Sequence, residues 1–188
     1  MLNIFNKILK DNGLYLNKEL RRIPSTCCSN LTTDVLDFDL IKDTFYTNIG
    51  LSQNDKLKSA DVLKIIPSQN KIVLIEMKKY DITGGYSIVE FIKNRIDGFQ
   101  NKIIDSVFII LGIVGFYNID PAFYNYFFNP TDFKIKAVFV SNISYKAYVA
   151  ADIASLPSHK ISISRRIDNN ISFLTCEMFF EAVKNKTL

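Results

Sequence analysis

The residues best equipped for chemistry are Asp61, Glu76 and Lys78, two acids and an amine set around one apolar hairpin. Ser59-Ala60-Asp61-Val62-Leu63-Lys64-Ile65-Ile66 and Lys71-Ile72-Val73-Leu74-Ile75-Glu76-Met77-Lys78-Lys79 read as two strands joined by the polar turn Pro67-Ser68-Gln69-Asn70. Side chains alternate faces along a strand, so Ile72, Leu74, Glu76 and Lys78 share one face and Val73, Ile75 and Met77 the other. The turn lies midway between Asp61 and Glu76, so pairing across the hairpin brings the two acids together. Two carboxylates and a lysine at a strand end suit a divalent-cation site with a nearby water. The competing reading is an exposed ion pair between Glu76 and Lys78, worth little for stability, with Asp61 merely opening its strand.

The surrounding elements must hold these groups in place. Residues 3–22 carry apolar positions at helical spacing, Ile4, Phe5, Ile8, Leu9 and then Tyr15, Leu16, Leu20, with a break at Asn12-Gly13. Glu19 falls on the second helical piece, which Pro24 stops. Val35 to Ile41 fits a strand or a short helix equally. The second hairpin strand is apolar on both faces, which predicts a central, doubly covered strand. After Gly84-Gly85, Ser87 and Glu90 have capping-box spacing, and Ile88, Phe91, Ile92, Ile96, Phe99 and Ile103 form a helical stripe. The very apolar 107–128 segment continues that helix or lines the core. Lys134 to Ser141 reads as a strand, Lys146 to Ile153 as a helix, Lys160 to Ser164 as a short strand and Thr175 to Lys184 as a terminal helix. The expectation is an α/β fold with a central mixed sheet flanked by helices, one domain over residues 1–188.

Composition narrows the class. With 48% hydrophobic residues, fifteen Phe and nine Tyr, the chain has the material for a core and is not a disordered sequence. A net charge of +4 permits a nucleic-acid partner without requiring one. The basic pairs Arg21-Arg22 and Arg165-Arg166, with Lys134 and Lys136, read as ordinary surface. Asp34, Asp37 and Asp39 lack the glycine and glutamate of a calcium loop and read as surface acids. Three cysteines, Cys27-Cys28 and the distant Cys176, make neither a disulfide framework nor a zinc spacing, and the single histidine, His159, stands alone. The adjacent pair reads as packing rather than as a nucleophile. The N-terminus has no signal-peptide core, and the run from Val107 to Tyr117 is too short to span a bilayer. A cytoplasmic setting without a membrane partner follows as the expectation.

A Glu-bearing helix, a hairpin with an acid and then Glu76-Met77-Lys78, a crossing helix and a further strand together resemble the PD-(D/E)XK nuclease superfamily, the restriction-endonuclease-like fold. The likeness in element order covers residues 15 to 165, with the motif itself confined to Asp61 and Glu76-Met77-Lys78; Ala60 stands where the signature has Pro. The resemblance implies a nuclease that hydrolyses phosphodiester bonds with Mg²⁺ or Mn²⁺. Asp61, Glu76 and the backbone carbonyl of Met77 would ligate the cation, and Lys78 would assist the attacking water. It further implies a nucleic-acid partner, DNA before RNA. Glu19 and Gln100 match additional family positions by order alone, and each also reads as a solvated helix residue. The alternative is a catalytically inactive member of the fold that binds nucleic acid or assembles with protein, with the aromatic 116–128 segment as a homo-oligomer surface.

Overall fold

The computed structural model describes residues 2–23, 26–28, 31–52, 56–80, 88–117, 121–122, 125, 134–142, 172–185 and 188, with the side chains of 88–97 and 100 outside that set. Apolar spacing makes Leu2–Asp11 a helix, α1, whose buried stripe is Leu2, Phe5, Ile8 and Leu9. Gly13, at a φ of 68°, ends it, and the chain turns back so that the Leu14 amide reaches the Leu9 carbonyl. The second predicted helical piece is corrected here. Asn17–Glu19 is an edge strand, β1, followed by a single 3₁₀ turn at Leu20–Arg22. Its backbone finds partners in β2, Asp34–Asp37, and those pairings outweigh local helical spacing.

The ambiguous stretch after Asp34 is both a strand and a helix. Asp37 closes β2 and caps α2, Phe38–Asn48, by accepting a hydrogen bond from the Leu40 amide at 3.1 Å. Its carboxylate is buried and paired with Lys18 at 3.1 Å, so Asp37 is no surface acid. The hairpin forms as read, with β3 at Val62–Ile66, a 3₁₀ turn at Pro67–Gln69 and β4 at Lys71–Lys78. Asn70 takes the left-handed conformation at a φ of 49° that leads the chain into β4. A 30-residue helix, α3, runs from Ile88 to Tyr117 and absorbs the first part of the apolar segment. Strand β5 follows at Lys134–Ser141, then β6 at Ser172–Thr175, which had no clear signature in the sequence. Thr175 caps the last helix, α4, Cys176–Lys184.

Among the described residues six strands lie in sequence order, antiparallel from β1 to β4 and parallel from β4 through β6. The fold is α/β, with a mixed sheet between two apolar layers. On one face α1, α2 and α3 pack through Phe5, Phe38, Phe45 and Phe99 against Leu63, Leu74 and Phe139. On the other, Val62, Val73, Ile75, Met77 and Val140 meet Phe179 of α4 and the segment bearing Leu20, Ile23 and Cys28. Strand β4 is central and covered on both faces, as its sequence predicts. Among the described residues no helix is long and apolar enough to cross a membrane. The readings at Ser87, 146–153, 160–164, His159 and Arg165-Arg166, and most of those between 118 and 133, fall outside the described residues.

Candidate active site

The hairpin register does what the turn position promised. Val62 stands opposite Ile75, so the next pair outward is Asp61 with Glu76. Both side chains project to the α3 face of the sheet, that of Leu63 and Leu74. Asp61 and Glu76 are nearly inaccessible, at 3% and 2% exposure. A carboxylate so enclosed requires compensation, because desolvation disfavours its charge.

Lys78, two residues on and on the same face, sets its ammonium 2.7 Å from Glu76 Oε1 and 3.8 Å from Asp61 Oδ2. A second ammonium comes from Lys102 on α3, 2.7 Å from Glu76 Oε1 and 3.8 Å from Asp61 Oδ1. The Met77 amide donates to Asp61 Oδ2 at 2.6 Å and fixes its carboxylate plane. That N–H is the contact the structure gives Met77 here. The result is a balanced group of two acids and two amines, with one gap. Glu76 Oε2 is buried without a hydrogen-bond partner among the described residues.

Electrostatics set Glu76 apart. Burial, and then the charge of Asp61, push its carboxyl above the usual range, and Lys78 and Lys102 only partly oppose them. Burial pulls the Lys102 amine down, but Glu76, Asp61 and Asp39 more than reverse this and leave it raised.

The segment that delivers Asp61 is supported by α2 and α3. The Asp61 carbonyl accepts from the Phe38 amide at the start of α2, at 3.1 Å. The preceding residue, Ala60, donates its amide to the buried Ser106 hydroxyl on α3 at 2.9 Å, and Lys58 donates its amide to Asp105 at 3.0 Å. Ser59 bonds through its hydroxyl to Asp39. The helix that supplies Lys102 thus also anchors the segment that delivers Asp61.

Glu19 does not join this group. It sits on an edge strand rather than a helix, faces Asp34, and pairs with Arg21 and Arg22 at 3.0 Å each. Asp37, three residues along β2 from Asp34, is the residue level with Val62, so Glu19 lies toward the opposite end of that strand. Gln100 lies on α3, and its side chain is outside the described residues. Lys102 was missed in the sequence. It flanks the apolar stripe beside Ile103, and only the packing of α3 on β4 distinguishes it from a solvated lysine.

The cysteines also depart from expectation. Cys28 and Cys176 pair as a disulfide across 148 residues, with Cys27 Sγ 3.7 Å from Cys28 Sγ and 3.1 Å from Cys176 Sγ. Sequence distance concealed this, since the fold brings the start of α4 onto the loop after β1. Burial pushes the Cys27 thiol up to about 11, against backbone hydrogen bonds from its own amide and that of Lys78. A thiol so raised is a poor nucleophile at neutral pH. The chain matches no protein-family model, no curated protein and no solved structure.

Proposed function

We propose that the chain is a metal-dependent nuclease of restriction-endonuclease-like fold, hydrolysing phosphodiester bonds at Asp61, Glu76 and Lys78. The observation that carries this reading is the buried Asp61–Glu76 pair, in which Glu76 Oε1 meets two ammoniums while Oε2 has no partner among the described residues. The donor set fits a hard cation, because Mg²⁺ and Mn²⁺ take carboxylate oxygens and Glu76 Oε2 has no other partner among the described residues. When bound, such an ion supplies Lewis acidity and neutralises charge on the phosphoryl oxygens.

The chain's own groups supply position and field. Asp61, held by the Met77 amide, and Glu76, paired across the hairpin, present their oxygens from two adjacent strands. Lys78, at the end of β4 and partly open to solvent, orients the attacking water and offsets the charge that develops as the ester bond breaks. Lys102 shares Glu76 Oε1 with Lys78 and holds that carboxylate in place from the helix side. The antiparallel β2–β4 unit, followed by α3 and a parallel β5, supports the fold assignment, and the acid on an edge strand rather than a helix departs from it.

Incubation of the purified chain with single- and double-stranded DNA and with RNA, in Mg²⁺ or Mn²⁺, tests the proposal. Cation-dependent cleavage, abolished by chelation and by Asp61→Asn or Lys78→Ala, is expected, with DNA cut in preference to RNA. Folded wild type that cuts nothing in either cation overturns it. The non-catalytic alternative draws on the charge balance of the four groups, which closes the site without a cation. Nucleic-acid binding without cleavage would favour that reading.

A further inference from the structure

A second group of ligand-bearing side chains lies beside the acids. Cys27, Cys28 and Cys176 offer three sulfurs that all fall within 4.8 Å of one another. They come from two segments, the loop after β1 and the first turn of α4. Leu20, Ile23 and Phe179 pack in the same apolar cluster. A disulfide needs two sulfurs. Here the third, Cys27 Sγ, is held against both members of the pair, 3.7 Å from one and 3.1 Å from the other. Neighbouring residues in a strand point to opposite faces, yet this irregular loop turns Cys27 and Cys28 toward the same point.

We propose that Cys27, Cys28 and Cys176, when reduced, form a three-thiolate site for one thiophilic d¹⁰ cation, Zn²⁺, with its fourth position open to water or an outside ligand. Sulfur is the donor that selects such an ion over Mg²⁺ or Mn²⁺. Zn–S bonds of about 2.3 Å in a tetrahedron separate the sulfurs by about 3.8 Å. The Cys27–Cys28 separation of 3.7 Å already meets that requirement. An external thiol or phosphine reductant supplies the two electrons, and solvent the two protons, that open the Cys28–Cys176 bond; the cation then displaces the thiol protons as the other two separations adjust toward that value. Leu20, Ile23 and Phe179 back the site on its core side, while Cys27 and Cys176 stay partly exposed and leave the fourth position accessible. The ion ties the N-terminal loop to α4, beside the strand end that carries Lys78, and stands apart from the hard-cation site in both donor type and face of the sheet.

The test uses the full chain, reduced with a phosphine and freed of metal, titrated with Co²⁺ as the probe. A sulfur-to-cobalt charge-transfer band that saturates at one equivalent and is displaced by Zn²⁺ is expected. Cys27→Ser, Cys28→Ser and Cys176→Ser should each weaken binding by at least about tenfold, since losing even an outer partner of a ligand costs that much. Asp61→Asn and Glu76→Gln should leave the band intact, so the result stands apart from the nuclease assay. Absence of the band in wild type overturns the proposal whatever the variants do. So does a band that survives Cys27→Ser unchanged or is lost in Glu76→Gln. Re-formation of the Cys28–Cys176 bond under reductant in excess Zn²⁺ also overturns it.

Discussion

At the scale of single residues, Glu76 governs the account. Its carboxyl is raised chiefly by burial, so the folded chain holds a proton there at pH values where the unfolded chain has lost it. The stabilising contribution of the protonated form is fully present below the ordinary carboxylate value. It is lost as pH rises through the raised folded value, and then levels. Without divalent cation, the thermal midpoint of wild type should therefore fall relative to Glu76→Gln over that interval; a relative rise would contradict the assignment. Cation binding displaces that proton, so Mn²⁺ affinity should grow with pH over the same range. Lys102 gives the companion prediction. Its ammonium already offsets the Glu76 charge that draws a cation, so Lys102→Met should bind Mn²⁺ more tightly in calorimetry. Without cation it should be less stable by about 1–3 kcal/mol, because an acid loses a charged partner. Unchanged Mn²⁺ affinity would remove Lys102 from the site.

At the scale of elements, the site depends on how α3 docks against the approach to β3. Ser106 is fully buried and accepts the Ala60 amide one residue before Asp61. Ser106→Ala leaves that N–H unpaired and should cost about 1–3 kcal/mol in denaturant unfolding, with weaker Mn²⁺ binding as Asp61 loosens. Full retention of both would show that the segment is held by other contacts. What the sequence disclosed follows the range of the interactions. The hairpin was legible because β-branched alternation, the Pro67–Asn70 turn and the Asp61–Glu76 spacing are all local. The misread of Tyr15 to Leu20 as helix came from a spacing that β2 overrides: pairing of Lys18 with Val35 and the Lys18–Asp37 ion pair decide the strand. Lys102 and Asp37 carried no local mark of burial, since their partners lie on other elements.

At the scale of the whole molecule, the cysteines join the two ends of the described fold, and their separation of 148 residues explains why spacing rules gave no hint of it. A link that closes so long a loop restrains the unfolded chain strongly, by about 2–4 kcal/mol in typical cases. Reduction in the presence of a chelator should lower the thermal midpoint accordingly, and Zn²⁺ should restore part of the loss. A midpoint indifferent to reduction would mean that packing of Phe179 alone secures α4. The sheet's change from antiparallel to parallel at β4 places Glu76 and Lys78 at the carboxyl end of a central strand, beside Ser141 of β5. Open α/β sheets commonly bind ligands at such strand ends.

The most direct test of the central claim is the rate of DNA cleavage across a Mn²⁺ titration, measured side by side for wild type and Glu76→Gln. Wild type should show a rate that saturates with Mn²⁺, and the variant, which keeps its size and hydrogen bonding but loses a charge, should be slower by about 10²-fold or more. Equal rates for the two proteins, or no Mn²⁺-dependent cleavage by folded wild type, would contradict the assignment of these buried acids to phosphodiester hydrolysis.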